Sequence, residues 1–172
     1  LCKSLHLTSV LQVGCAGGGE LFWLSKVVSP SVRLIGADLN LHTIQRNRDY
    51  FKDKAHIEFI KADIFTSDIL NQVKPELVFT SGTAEYFEER ELELFIADVK
   101  ACGAKALVFM EPITLKRFHY GLDFRSTRRG NMAFNHAYAS KLKSQGGLVE
   151  EFNEPGSRPG ILKVLCVGLF TQ

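Results

Sequence analysis

The sequence predicts an α/β fold: a doubly wound, seven-stranded sheet, mostly parallel, with a reversed C-terminal strand. Three observations carry that expectation. Short apolar runs without polar alternation recur along the chain, and segments with helical spacing lie between them. The last two apolar runs are joined by a link with no room for a helix.

Residues 10–14 supply the first buried strand and run directly into Cys15-Ala16-Gly17-Gly18-Gly19. Leu21, Leu24 and Val28 then mark one face of a helix, and Trp23 is expected in the core or in helix packing. Residues 33–37 make the second strand, followed by a helical stripe of Leu41, Ile44, the stem of Arg48, and Phe51. Strands at 57–62 and 76–80 precede a third stripe, Leu92, Phe95, Val99 and Cys102, and 106–110 is the fifth strand. Such alternation implies right-handed crossovers with helices on both faces. A helix is expected over 132–144, ended by Gly146-Gly147. Extended runs at 148–152 and 161–170 follow, linked by the turn-rich segment 153–160. They are read as an antiparallel hairpin whose second strand is reversed and lies beside the fifth.

The totals fit this reading. A length of 172 residues suits one domain spanning 1–172, and 45% hydrophobic with 23% charged residues excludes a disordered chain. A net charge of +2 gives no sign of a membrane or nucleic-acid partner. No apolar run reaches the roughly 18 residues of a membrane span, and no signal peptide is recognised. The opening Leu1, where Met would stand, is read as an N-terminal trim. Cys2, Cys15, Cys102 and Cys166 form no C-x-x-C pair or zinc spacing. They read as reduced, mostly buried thiols in a cytoplasmic protein without a metal site.

The strongest chemical signal is the glycine-rich turn after the first strand. Small residues there let the backbone approach a ligand, and a helix N-terminus offers free N–H groups; a tight strand–helix turn is the plainer alternative. Asp38 ends the second strand 20 residues after Gly18, where a carboxylate can accept both ribose hydroxyls of an adenosine. By itself it could instead face the next helix's dipole. Asp63 ends the third strand, placed either to reach an adenine amino group, with Ile64 against the ring, or to cap the following helix.

In that order, these elements resemble class I, Rossmann-like methyltransferases that use S-adenosylmethionine (SAM). VLQVGCAGGG resembles the family's glycine-rich signature, LIGADLN its ribose-binding strand end, and IEFIKADIF its adenine-side strand end. ELVFTSGTAEYF resembles the fourth strand and the loop bordering the methyl-transfer site. The resemblance implies SAM as cofactor, held by Gln12, Gly14, Cys15, Ala16, Gly18, Asp38, Leu39, Asp63, Ile64, Ser81 and Gly82. Two departures stand out: Gln12 replaces the usual acidic residue, and Ala16 the signature's middle glycine. Two rivals are an NAD(P)-dependent oxidoreductase and a catalytically degenerate scaffold of the same fold. The first needs glycine at 16, where this sequence has Ala. Gln12 speaks weakly for the second.

For the acceptor, in-line alignment matters most, and a base helps where a hydroxyl is methylated. His119, His136, Tyr86 and Glu85 are the candidates for catalytic groups. The segment 112–130 is long for a connection and holds Lys116, Arg117, His119, Tyr120, Arg125, Arg128 and Arg129. It is read either as a solvated loop or as part of a pocket for a small, anionic acceptor gripped by Arg forks. A nucleic-acid acceptor has little support. The family often closes the cofactor site with an N-terminal lid, so a lid segment or a second copy of the chain is an expected partner.

Overall fold

The computed structural model describes residues 6–114, 126–129, 131–155 and 161–170. Strands β1 (Ser9–Val13), β2 (Arg33–Asp38), β3 (Ile57–Lys61), β4 (Leu77–Ser81), β5 (Ala106–Thr114), β8 (Leu148–Pro155) and β9 (Ile161–Leu169) form one sheet. Its order is β3-β2-β1-β4-β5-β9-β8. β9 runs antiparallel to both neighbours and the other pairings are parallel, so β9 is the reversed strand beside the fifth, as expected.

Both faces of the central sheet are dry because successive residues of its central strands are buried and mostly apolar. Leu11, Ile35, Val78 and Leu107 face one core with α4 (Glu89–Ala101) and α5 (Tyr138–Ser144). Val10, Leu34, Leu77 and Ala106 face the other with α1 (Gly19–Val27) and α2 (Leu41–Tyr50). A short helix, α3 (Ile69–Val73), precedes β4. Helix α4 carries a capping box in which Glu88 and Glu91 exchange side-chain and backbone hydrogen bonds, which sets its start.

Three expectations change. The helix anticipated over 132–144 begins only at Tyr138, because Ala133–Asn135 (β7) pairs antiparallel with Thr127–Arg129 (β6). Pairing with another segment overrode the local helical pattern. β5 continues past residue 110 to Thr114, since β9 pairs with it along its whole length. Trp23 does not join the core: it is 71% exposed on the outer face of α1, where Leu21 supplies the buried contact.

Among the described residues no helix is long and apolar enough to cross a membrane. Cys15 and Cys166 are buried and Cys102 half-buried, all as free thiols.

Candidate active site

The strand order reverses between β1 and β4, and open α/β sheets bind ligands at such a point, beyond the carboxyl ends of the strands. A cavity of about 330 Å³ lies there. Its walls are Val13, Gly14 and Ala16 after β1, Ala37, Asp38 and Leu39 after β2, and Ala62, Asp63, Ile64 and Phe65 after β3. Ser81, Gly82, Thr83, Tyr86 and Phe87 after β4 complete them. Leu39, Phe65 and Tyr86 leave apolar surface exposed at this site.

The glycine-rich turn is tied to its neighbours by backbone and side chain. The N–H groups of Gly14 and Cys15 both donate to Ala37 O at the end of β2, at 2.8 and 3.0 Å. Ala16 adopts a left-handed conformation, φ 41°, where glycine would be easier. Two side chains hold it there: its N–H donates to Asp38 Oδ2 at 2.9 Å, and its carbonyl accepts from buried Asn47 Nδ2 at 2.6 Å. Ala at the signature's middle position is therefore accommodated by α2, a device invisible in the local sequence.

Asp38 also accepts the Asn40 N–H at 2.9 Å, while α2 is capped by Asn40 itself through Thr43 N. Each Asp38 oxygen thus retains a lone pair. Asp63 caps no helix, since the N-cap of α3 is Asp68. Its Oδ1 instead receives the Phe65 N–H at 2.9 Å and fixes the turn that turns Ile64 and Phe65 into the cavity wall.

Three residues expected at the cofactor, Gln12, Cys15 and Gly18, are not among those lining the cavity. Cys15 is fully buried and packed beneath α1: a side chain at Gly36 would meet its Cβ and Sγ, and Leu21, at 2.9 Å. Burial pushes its thiol up to about 12. Gly18 faces the core, where an added Cβ would stand 2.9 Å from Phe59 and 3.1 Å from Phe51. It is a glycine for packing and for its φ of 73°, so the space expected for the ligand is filled by rings. Gln12 is 1% exposed and turned toward α1, where its Nε2 donates to Glu20 at 3.3 Å.

Of the candidate catalytic groups, Tyr86 lines the cavity. Glu85 is buried and ion-paired with Arg129, which also donates to Pro112 O at 2.9 Å. His136 is buried, with Nδ1 2.6 Å from Ser126 Oγ and Nε2 3.0 Å from Phe87 O, so both ring nitrogens serve the scaffold. His119, with Lys116, Arg117, Tyr120 and Arg125, lies outside the described residues. Arg129 is committed to Glu85 and cannot offer a free fork to an anion as expected, while Arg128 lies over the Phe134 ring at 5.7 Å.

Thr83 and Glu111 lie in the segments after the expected fourth and fifth strands, but the sequence does not single out either of them. Thr83 packs directly on Gly14: a Cβ there would come within 2.2 Å of its Oγ1. Gly14→Ala is therefore expected to push Thr83 outward and strain a φ of 71°. This should weaken cofactor binding by about 1–3 kcal/mol. Titration calorimetry with S-adenosylhomocysteine (SAH) measures it, and unchanged affinity would mean that the ligand does not use this wall.

Glu111, on β5, is fully buried. Its carboxylate accepts the Thr80 hydroxyl at 2.6 Å and the N–H groups of Thr83, Ala84 and Glu85 at 3.0, 3.1 and 3.4 Å. Burial raises its pKa to about 7, outweighing these bonds, which lower it. A folded pKa above the ordinary 4.5 means that the folded state binds the proton more tightly. The resulting stability is fully present below that ordinary value and is lost as pH rises through about 7. The Tm of the natural protein should fall relative to Glu111→Gln over that window, by the equivalent of about 3 kcal/mol. Parallel Tm curves for the two proteins would refute this.

A cavity at the switch point of a sheet with one reversed strand fits the class I, Rossmann-like architecture. A family model described as a methyltransferase domain matches residues 10–104, and the chain belongs to that family: it is a SAM-dependent methyltransferase domain. Solved structures agree in fold. N-methyltransferase NodS from Bradyrhizobium japonicum WM9, in complex with SAH, superposes with a TM-score of 0.73 at 18% identity. The match covers 96% of this chain and 79% of that one. The methyltransferase domain of bacterial CtHen1-CN gives 0.72 at 17% identity, covering 98% and 93%. The N-terminal domain of EvdMO1 with SAH bound gives 0.71 at 14%, covering 95% and 74%. No curated protein matches the sequence.

Proposed function

We propose that residues 1–172 act as one catalytic domain that holds SAM in the switch-point cavity and methylates a small-molecule acceptor. The observation that carries this reading is Asp38: it joins the glycine turn to β2 and lines the cavity with hydrogen-bonding capacity to spare. That capacity suits the ribose hydroxyls, and Asp63 with Ile64 and Phe65 suits an adenine: a carboxylate for its amino group and apolar surface for its ring. Gly14 and Ala16 would leave room for the methionyl part. SAM, when bound, supplies a methyl group already activated by its sulfonium. The protein's task is then to align the acceptor and exclude water.

Tyr86, 55% exposed and lining the cavity, is the described group best placed to orient an acceptor. The NodS and EvdMO1 structures, each solved with SAH, support this cofactor here. An anionic acceptor is favoured by the basic composition of 112–130, with Arg128 as the described cation outside the Glu85–Arg129 ion pair. The exposed Leu39, Phe65 and Tyr86 suit a covering lid or a second copy of the chain. Free thiols at Cys15, Cys102 and Cys166 suit a reducing, cytoplasmic setting.

Calorimetry against SAH and NAD in parallel tests the reading. Binding of SAH without NAD is the expected result; the reverse preference would overturn it in favour of the oxidoreductase. Methyl release from labelled SAM with candidate acceptors then separates an enzyme from a scaffold.

A further inference from the structure

Resting on the SAM-binding reading, we infer that Glu111 is a positioning residue for the cofactor, acting through the turn that walls the cavity after β4. The turn Thr83–Tyr86 has a single-turn helix, Ala84–Tyr86, without a side-chain cap of its own. Glu111 takes that place from β5. Its two oxygens draw together the N–H groups of Thr83, Ala84 and Glu85, three successive donors that a turn of this length leaves unpaired at its start. The Thr80 hydroxyl holds the carboxylate from β4.

The consequence is geometric. With its N–H drawn inward to Glu111, Thr83 rests against Gly14, and its Oγ1 reaches Gly14 O at 3.4 Å. Tyr86 and Phe87 complete the same wall. The outer side of the turn is held independently, by Arg129 on Glu85 and by His136 at Phe87 O. The turn is thus clamped from both sides, and the Glu111 contact is the one that draws its first N–H groups toward the sheet. Both oxygens of Glu111 accept from the turn. An amide would present an NH2 group to one or more of the backbone donors.

Glu111→Gln, shown to be folded by circular dichroism, should raise the Kd for SAH about ten-fold. Amide hydrogen exchange at Thr83, Ala84 and Glu85 should accelerate while the amides of β1 and β4 keep their protection. A purely structural role would instead speed exchange throughout and leave the Kd of the folded fraction unchanged. Should that variant fail to fold, Thr80→Val removes one anchor of the carboxylate at constant shape and should raise the Kd about three-fold. An unchanged Kd in whichever variant folds overturns the inference alone. Failure of the natural protein to bind SAH overturns the cofactor reading and takes this inference with it. Selective exchange at 83–85 would still show Glu111 holding the turn.

Discussion

Asp38→Ala is expected to weaken SAH binding by about 2–4 kcal/mol, among the largest losses of affinity from a single change in this domain. Two effects add. The charge-assisted bonds assigned to the ribose hydroxyls disappear, and so do the bonds from Ala16 N and Asn40 N that tie the glycine turn to β2. Asp38→Asn separates them in part, since it keeps one accepting oxygen but sets an NH2 group against one of the two backbone donors. Calorimetry on both variants, with Tm as a check on folding, measures the effect. A folded Asp38→Ala protein that binds SAH normally would remove the ribose assignment.

Gly18→Val should act on the fold before it acts on the ligand. Its φ of 73° is poorly tolerated by a β-branched residue. The added carbon would also strike Phe59 and Phe51, which are 4% exposed and have no free space to retreat into. Left-handed strain of about 1–2 kcal/mol and overpacking of about 1–3 kcal/mol give a destabilisation near 2–5 kcal/mol. Urea unfolding reads it directly. A variant with undiminished stability that loses SAH binding would instead return Gly18 to the ligand's side of the turn.

Both positions belong to the most legible part of the sequence, yet only Asp38 faces the cavity. The glycine run marks a turn where bulk is forbidden, but not which glycine serves a ligand and which serves the core. At Gly14 the crowding comes from Thr83 in the wall, and at Gly18 from Phe51 and Phe59 in the interior. A linear pattern records the demand for a small residue and loses the direction in which its hydrogen points.

Similar reasoning explains the errors further along. Alternating apolar stretches at 132–144 carry a helical pattern, but residues 133–135 found a better partner in 127–129. Trp23 has the composition of a core residue, whereas the turn of α1 that holds it faces outward. His136 and Glu85 have side chains fit for proton transfer, yet each is consumed by a contact with a distant segment, Ser126 and Phe87 for one and Arg129 for the other.

What the sequence by itself determined was the β1–β5 alternation, the reversed last strand, the glycine turn and the carboxylates at the ends of β2 and β3. Each is written in residues close along the chain, as buried runs, turn formers or a strand-end position. Tertiary structure alone decided that Asn47 steadies Ala16, that Thr83 lies on Gly14 and that Glu111 gathers the N–H groups after β4. Those contacts join residues 26 to 69 positions apart. Their energies depend on burial and distance, which a chain acquires only when the sheet brings its strands side by side.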